Sequence, residues 1–390
     1  MSLNIRYENR PLPYAQGLSS SITFILTDDC QLRCRYCYLH HKSRSHIMPF
    51  HVARTTVDYV LSHRDLWPSP AVIFDFMGGE PFLEISLMDR ICDYIKKSMY
   101  VADHPWFDDY LISCSTNGLL YKSDRVQRFI AKNHEHLDIS ISLDGTREKH
   151  DCNRVFPDGS GSYDRVRENF SLYLEQFPRG TTKATISSAD IPHVARSVLH
   201  LFSLGVGFVD INVVFEDVWR PGDSEAFEAQ LLLLADTMIS QRLYEQHSCS
   251  FFSADLGRPM DPVYENTNWC GTGRMLAVDQ DGVFYPCNRF TQNALTCGKP
   301  RAIGDIRGGI DENKRRPFLL LNRRFQSPSE CMECSVASGC AWCPGQDYDA
   351  SSGETIWNRT TFHCEMHKAT VRANRYYWSR LRAGEDIGRG

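Results

Sequence analysis

The chain has 390 residues, of which 42% are hydrophobic and 23% are charged, and its formal net charge is −5. This composition is typical of a soluble globular protein with a large core. The small negative charge gives no reason to expect a nucleic-acid partner, and no apolar run approaches the roughly 18 residues that cross a bilayer. The first residues lack the apolar segment of a signal peptide, so we expect a cytoplasmic protein without a membrane partner.

Short β-like runs alternate with helical patterns over the first two thirds of the chain. Apolar residues with a period of about 3.6 predict helices between the runs, for example over residues 85–99 and 189–202. Six alternations imply parallel strands with right-handed crossovers, and therefore an α/β fold with a partial (β/α)6 barrel over residues 20–245. In such a barrel, the loops at the carboxyl ends of the strands hold the chemistry. The predicted strands are residues 21–27, 71–77, 110–115, 137–143, 182–187 and 208–214.

The remaining segments are divided by composition. Residues 1–19 form an N-terminal extension ahead of the barrel, and residues 246–268 form a loop-like bridge after it. A module rich in glycine and cysteine follows at residues 269–367. The basic, aromatic segment 368–390 is predicted to be a closing helix and tail.

Cysteine usage is the main clue to function. The chain has 15 cysteines, and a disulfide framework is not expected in a reducing compartment, so metal or redox chemistry explains them better. Three cysteines cluster near the N-terminus and seven lie in the last third of the chain. Most of the scattered ones are expected to be small buried hydrophobic residues. The scattered cysteines are Cys92, Cys114, Cys152, Cys249 and Cys297.

The N-terminal group has the spacing CxxxCxxC and directly follows the first predicted strand. It consists of Cys30, Cys34 and Cys37. Three thiolates this close together can hold three corners of a 4Fe–4S cluster and leave one iron open for a small molecule. The alternative is a zinc site completed by His40 or His41.

With Tyr36 before the last cysteine, this motif resembles the signature of the radical S-adenosylmethionine (SAM) superfamily. The resemblance implies that the open iron binds the amino and carboxylate groups of SAM. One electron from the cluster then breaks the sulfonium C–S bond and yields a 5′-deoxyadenosyl radical that abstracts hydrogen. The cofactors perform this difficult step, while the protein positions them and excludes water.

Three further motifs that match the same superfamily lie at the ends of predicted strands. They are GGEP at residues 78–81, STNG at residues 115–118 and SLDG at residues 142–145. Adjacent glycines let the backbone approach a ligand closely. Each motif alone fits an ordinary turn, but four motifs in this order support the resemblance.

The resemblance also implies which residues contact SAM. The GGEP segment is expected to accept hydrogen bonds from the SAM ammonium, Ser142 and Arg154 to bind the carboxylate, and Asp144 to contact the ribose. An arginine suits a carboxylate because its planar fork bonds both oxygens, although it fits a surface ion pair as well. The full set of expected cofactor-binding residues is Tyr36, Gly78, Gly79, Glu80, Ser115, Asn117, Ser142, Asp144 and Arg154.

The seven cysteines of the last third have a spacing that resembles the SPASM domain, which holds two auxiliary 4Fe–4S clusters. Paired CxxC motifs also occur in zinc ribbons, but the five residues between the pairs here are fewer than the usual ribbon loop of about 15–20. The chain is therefore expected to hold SAM and three 4Fe–4S clusters. The resemblance assigns Cys331, Cys334, Cys340 and Cys364 to an outer cluster, and Cys270, Cys287 and Cys343 to an inner cluster.

The inner cluster then has three evident ligands. Some SPASM relatives place another cysteine six residues after the first, where this chain has Leu276. Cys297, a non-cysteine group or a thiolate of the substrate can take the fourth position. A substrate cysteine bound there would be deprotonated and held near the radical.

Two kinds of activity fit this layout. Anaerobic sulfatase maturases have a similar length and arrangement, but they place an Asp, proposed as general base, directly after the cysteine that corresponds to Cys287. This chain has Asn288 at that position, and an amide takes no proton at neutral pH. The difference counts against formylglycine formation.

Longer segments at residues 78–100, 268–290 and 337–344 resemble the radical SAM peptide maturases of the CXXX-repeat target family. The resemblance implies a ribosomally made precursor peptide with Cys repeats. It also implies thioether crosslinking of a Cys sulfur to a carbon, with a C–C or C–O crosslink as the alternative. A flavodoxin or ferredoxin is the expected reductant.

Overall fold

The computed structural model describes residues 18–40, 42, 46–268 and 270–387. The residues outside the description are 1–17 of the predicted N-terminal extension, His41, residues 43–45, Trp269 and the last three residues.

Six parallel strands form the barrel part of one sheet and follow one another in chain order. All six predicted strands are present, each within two residues of its expected ends, because short apolar runs bounded by turn residues mark buried strands. The predicted α/β partial barrel is therefore confirmed. The strands are β1 (Ser19–Ile25), β2 (Ala71–Met77), β3 (Tyr110–Thr116), β4 (Leu137–Ile141), β5 (Thr182–Ile186) and β6 (Phe208–Val213).

Side chains alternate along these strands between an apolar face and a polar interior. In β2, Phe74 and Phe76 are fully buried in the core, whereas Asp75 between them faces the interior of the barrel. Thr23 lies opposite Asp75 on β1, with its hydroxyl 3.5 Å from a carboxylate oxygen. Helices cover the apolar face, namely α1 (Phe50–Ser62), α2 (Ile85–Val101), α3 (Asp124–Asn133), α4 (Arg147–Asn153), α5 (Tyr163–Gln176), α6 (Val194–Ser203) and α7 (Asp223–Ser240).

The cysteine-rich last third continues the sheet of the barrel. β8 pairs with β1 in parallel, and the strands that follow it are antiparallel. On the opposite edge, β7 pairs with β6. Strands from the first and the last third of the chain therefore pair at β1. The added strands are β7 (Ser248–Cys249), β8 (Leu276–Val278), β9 (Val283–Tyr285), β10 (Gly304–Asp305) and β11 (Gly309–Ile310).

The C-terminal helix packs back on the bridge segment and on α7. The Asn374 side chain donates to the carbonyl of Phe251 at 2.9 Å, and the ring of Tyr377 stacks on Phe252 with centroids 4.4 Å apart. No helix in the described part of the chain is long and apolar enough to cross a membrane. The helices of this region are α8 (Pro262–Glu265), α9 (Glu312–Leu319), α10 (Arg323–Gln326), α11 (Ser329–Met332), α12 (Pro344–Ala350) and α13 (Cys364–Ile387).

The contact between β4 and β5 is limited to the pair Ile141 and Thr182. The buried Thr182 hydroxyl replaces missing ladder bonds. It lies 2.9 Å from the carbonyl oxygen of Ile141 and 3.0 Å from that of Leu143, and it accepts the N–H of Leu143 at 3.1 Å. Because buried backbone groups need such partners, this side chain fixes the segment after β4, which carries Ser142 and Asp144.

A buried ion pair holds α4 to the segment after β5. Lys149 Nζ lies 3.1 Å from Asp190 Oδ2, and both side chains are inaccessible to solvent. Asp190 also accepts the Asn153 side-chain amide at 2.8 Å and the backbone N–H of Ser187 at 2.7 Å. These bonds fix the end of α4, directly before Arg154.

Replacing Asp190 with Ala should destabilise the protein by about 3–5 kcal/mol, because it leaves the buried Lys149 charge without a partner. Chemical denaturation at neutral pH measures this change. Asp164→Ala is the matched control, because it removes the partner of the exposed Arg147 on the same helix and should shift the unfolding midpoint little. Equal shifts for the two variants would contradict the role given to burial.

Candidate active site

The GGEP segment after β2 packs directly against the cysteine loop after β1. The N–H of Gly79 donates to the carbonyl of Thr27 at 2.8 Å, and the N–H of Glu80 donates to that of Asp29 at 2.8 Å. A Cβ on Gly79 would lie 2.1 Å from the Asp29 carbonyl oxygen, and one on Gly78, where φ is +153°, would lie 2.4 Å from that of Thr27. Both glycines are thus needed for the close approach of two backbone segments.

The Glu80 carboxylate ties this segment to the end of β3. It accepts the backbone N–H of Phe82 at 3.0 Å, the hydroxyl of Thr116 at 2.7 Å and the backbone N–H of Asn117 at 2.7 Å. The Asn117 side chain in turn points to Cys30, with its nitrogen 3.7 Å from the sulfur. Glu80 therefore positions Asn117 against the first cysteine of the motif.

The first three cysteines lie close enough to interact electrostatically, and none forms a disulfide. Burial raises the pKa of Cys34 to about 11, although the charge of Arg154 opposes this shift. Lys42 Nζ lies 3.5 Å from Cys37 Sγ. Three thiols with cations nearby are a donor set that fits a negatively charged thiolate–iron cluster. No group of three His, Cys, Asp or Glu side chains within the described ranges is placed to hold a single metal ion.

A buried charge network stands behind the cysteine loop. Arg154 Nε lies 3.1 Å from Asp144 Oδ1, and the Tyr36 hydroxyl donates to the other carboxylate oxygen. Burial alone would raise the pKa of Asp144, but the charges of Arg154, Lys149 and His150 together with the Tyr36 bond lower it. Arg154, which is expected to bind the SAM carboxylate, is thus paired with Asp144, which is expected to contact the ribose.

The two expected serines have different surroundings. The Ser115 hydroxyl is 3.0 Å from that of Ser140 on the neighbouring strand and is exposed in the barrel interior. Ser142 is buried, and its N–H donates to the carbonyl of Thr116 at 2.9 Å. Ser142 therefore links the segments after β3 and β4, whereas Ser115 leaves its side chain accessible.

Two adjoining cavities open at the carboxyl edge of the barrel. One, of about 320 Å³, is lined by Cys37 and by the segments after β5 and β6. The other, of about 300 Å³, reaches Arg289 beside the inner cysteine set. Both are lined by Tyr38, His40 and Glu216. A further cavity of about 400 Å³ is lined by Gly78, Tyr38 and Asn288.

Two of the residues shared by the cavities, Tyr38 and Glu216, belong to a network that the sequence patterns do not signal. Arg289 donates to Glu216 at 2.9 Å and to the Gln346 side chain at 2.8 Å, and it lies over the ring of Tyr38 at 4.5 Å. The Asn288 amide donates to the Tyr38 hydroxyl at 2.9 Å. The loop of the first cysteine group and the loop of Cys287 are therefore in direct contact.

Seven cysteines of the last third interact electrostatically in two separate groups. Burial raises the pKa of Cys287, and the neighbouring thiols Cys343 and Cys270 raise it further. Burial also raises the pKa of Cys340, and the thiols of Cys331 and Cys334 raise it further. The pKa of Cys364 is raised by burial and by the thiols of Cys340 and Cys331. The grouping by electrostatic contact is therefore Cys270, Cys287 and Cys343 in the inner set, and Cys331, Cys334, Cys340 and Cys364 in the outer set.

Cys297 has other neighbours. Burial raises the pKa of its thiol, a hydrogen bond with the Lys299 backbone lowers this pKa, and Asp349 raises it. Its backbone N–H donates to Asp349 at 2.9 Å. None of its main electrostatic partners is a cysteine of the inner set.

Part of the chain matches a known protein family. Residues 24–187 match the model of the Radical SAM superfamily, and this segment contains the first cysteine group and the GGEP, STNG and SLDG motifs. The chain is 27% identical over 301 residues to an uncharacterized protein of Methanocaldococcus jannaschii, a match that covers 74% of this chain and 88% of that protein.

The chain is also similar to anaerobic sulfatase-maturating enzymes. The chain is 22% identical to a cysteine-type anaerobic sulfatase-maturating enzyme of Clostridium perfringens, over 87% of this chain and 91% of that enzyme. A solved anaerobic sulfatase-maturating enzyme with bound AdoMet and the Kp18Cys peptide has the same fold. The TM-score is 0.69 at 20% identity, over 95% of this chain and 99% of that chain.

Asp75 in the barrel interior should make stability depend on pH. Burial raises its pKa from 3.8 to about 6, so the folded state favours the neutral acid, and stability falls as the pH rises from about 4 through 6. Asp75→Asn should remove this loss and stabilise the protein at pH 7 by about 1–3 kcal/mol. Denaturation midpoints at several pH values measure it.

The control is Asp210→Asn, which removes an interior carboxylate that pairs with Lys183 at 2.7 Å. This variant should bring no gain in stability at pH 7. A pH profile of Asp75→Asn identical to that of the wild type would contradict the prediction.

Proposed function

We propose that this enzyme modifies a ribosomally made, cysteine-containing precursor peptide by forming a thioether between a Cys sulfur and a carbon. The main support is the pair of adjoining cavities that run from Cys37 to Arg289 beside the inner cysteine set. A peptide in this space would have one residue near the first cysteine group and a cysteine near the inner set. The solved relative with a bound peptide supports a peptide substrate.

Three 4Fe–4S clusters would be held by the cysteines of the first, inner and outer sets. The chemistry that the first cluster supplies with SAM is hydrogen abstraction by a 5′-deoxyadenosyl radical. Arg154 and Lys42 would balance thiolate charge at this site. Asp144 would hold Arg154 and Tyr36 in place, and Glu80 would hold Asn117 against Cys30.

The inner set offers three cysteines, and Cys297 interacts instead with Asp349 and Lys299. This arrangement favours a substrate thiolate as the fourth ligand. Each crosslink breaks one C–H bond and one S–H bond and forms one C–S bond. A hydrogen atom would leave with the deoxyadenosyl group, a proton would leave from the thiol, and an auxiliary cluster held by the inner or outer set would accept the remaining electron. A flavodoxin or ferredoxin would supply the electron that starts each cycle.

Formylglycine formation is the second candidate, and the sulfatase-maturating relatives favour it. Asn288 counts against it, because its amide donates to the Tyr38 hydroxyl at 2.9 Å and cannot act as a general base.

Iron and acid-labile sulfide per chain, measured after anaerobic reconstitution, test the cofactor assignment. The wild type should hold about twelve irons, and a Cys30/Cys34/Cys37→Ala variant about eight, because only one of three 4Fe–4S clusters is removed. Cys92→Ala, which changes a fully buried core cysteine, is the control and should retain about twelve. About four irons with bound zinc in the wild type would contradict the two auxiliary clusters.

A cysteine-repeat precursor peptide incubated with reduced enzyme and SAM tests the reaction. A thioether lowers the peptide mass by two hydrogen atoms for each crosslink and protects that sulfur from alkylation, and mass spectrometry detects both changes. The same peptide with Ser in place of Cys should remain unmodified. Loss of sulfur with formation of an aldehyde would instead identify formylglycine chemistry.

A further inference from the structure

Two buried arginines stand beside the outer cysteine set. Arg323 is 3% exposed and Arg359 is 9% exposed. Arg359 Nη2 donates to the sulfur of Cys340 at 3.2 Å and to the carbonyl of Ala341 at 2.9 Å. Arg323 donates to the carbonyl of Cys331 at 3.3 Å. Both guanidinium groups thus lie against the loops that carry the outer cysteines.

Neither arginine has an anionic hydrogen-bond partner in the part of the chain that the structure describes. Their acceptors are backbone carbonyls, the Ser327 hydroxyl and the Cys340 sulfur. The Asp347 carboxylate interacts electrostatically with Arg359, but its hydrogen bonds go to Thr360. Buried charges without close counter-charges are costly, so two arginines here need further negative charge. Four cysteine thiolates on a cluster would provide it, and this charge balance fits an iron–sulfur group held by the outer set.

The inner cysteine set has a different electrostatic environment. Its nearby cation, Arg289, is already paired with Glu216 at 2.9 Å. Asp347 acts on Cys270 in addition. The cation beside the inner set is therefore hydrogen-bonded to a carboxylate, whereas within the described residues neither arginine beside the outer set has such a bond.

We propose that Arg323 and Arg359 raise the reduction potential of the 4Fe–4S cluster held by the outer set above that of the inner cluster. A reduced cluster carries one more negative charge, so nearby cations and a hydrogen bond to a ligand sulfur stabilise the reduced form. The proposal rests on the cluster assignment in the proposed function. It gives electron transfer a direction, because the electron released at the inner cluster during crosslinking then moves outward.

An EPR-monitored redox titration tests the proposal. The reconstituted Cys30/Cys34/Cys37→Ala chain provides the two auxiliary clusters alone, and the signal lost in Cys364→Ala identifies the outer one. Arg359→Gln in the same background should lower the midpoint potential of the outer signal and leave the inner one unchanged. Arg359→Lys, which keeps the charge, should restore most of the potential.

Arg324→Gln is the matched control, because Arg324 adjoins Arg323 but is exposed, and it should leave both potentials unchanged. If Arg359→Gln loses the irons of the outer set, Arg323→Gln provides the same measurement through a residue that contacts no sulfur. Unchanged outer potentials, or an inner potential above the outer one, overturn the proposal but leave the proposed reaction intact. Zinc in the outer set overturns both the proposal and the cluster assignment.

Discussion

The position of β1 in the sheet is the constraint on which the site depends. β1 pairs with β2 on one edge and with β8 on the other, in parallel on both sides. The carboxyl ends of parallel strands lie at one edge of a sheet, so the loop with the first cysteines has GGEP on one side and the turn after β8 on the other, where the Gln280 amide donates to Asp28 at 2.9 Å. A single strand thereby anchors the first cysteine loop on both sides, and the hydrogen bond from Asn288 to Tyr38 joins the Cys287 loop to it.

Burial of charge follows a consistent pattern around this strand. Lys149 pairs with Asp190 behind α4, and Arg154 pairs with Asp144 behind the cysteine loop. Arg289 pairs with Glu216 between the two cysteine regions. The first and third pairs join segments that follow different strands, and the Arg154–Asp144 pair joins the two ends of α4. Desolvated charges hold a defined geometry only when partners and hydrogen bonds are in place. These pairs therefore fix the distances between loops that have little regular structure.

Local signals account for what the sequence could predict. The strands and helices of the barrel are periodic over several residues, and the cysteine motifs lie within short segments, so the fold class and the cysteine groups were accessible. β8 has only three residues and its partner lies near the other end of the chain. Arg289 and Glu216 are 73 residues apart, and the pairing of Asp144 with Arg154 depends on how α4 is anchored. Such contacts have no local pattern, and only the folded chain reveals them.

The pairing of β1 with β8 also has a consequence for synthesis. Domains fold as the chain emerges from the ribosome, and β2 can join β1 early, but the other edge of β1 stays open until residues 276–278 have been made. An open, apolar strand edge is a template for association with other chains. Completion of the cysteine-rich region therefore closes this edge of the barrel, and a chain truncated before β8 would be prone to aggregate even with all six barrel strands present.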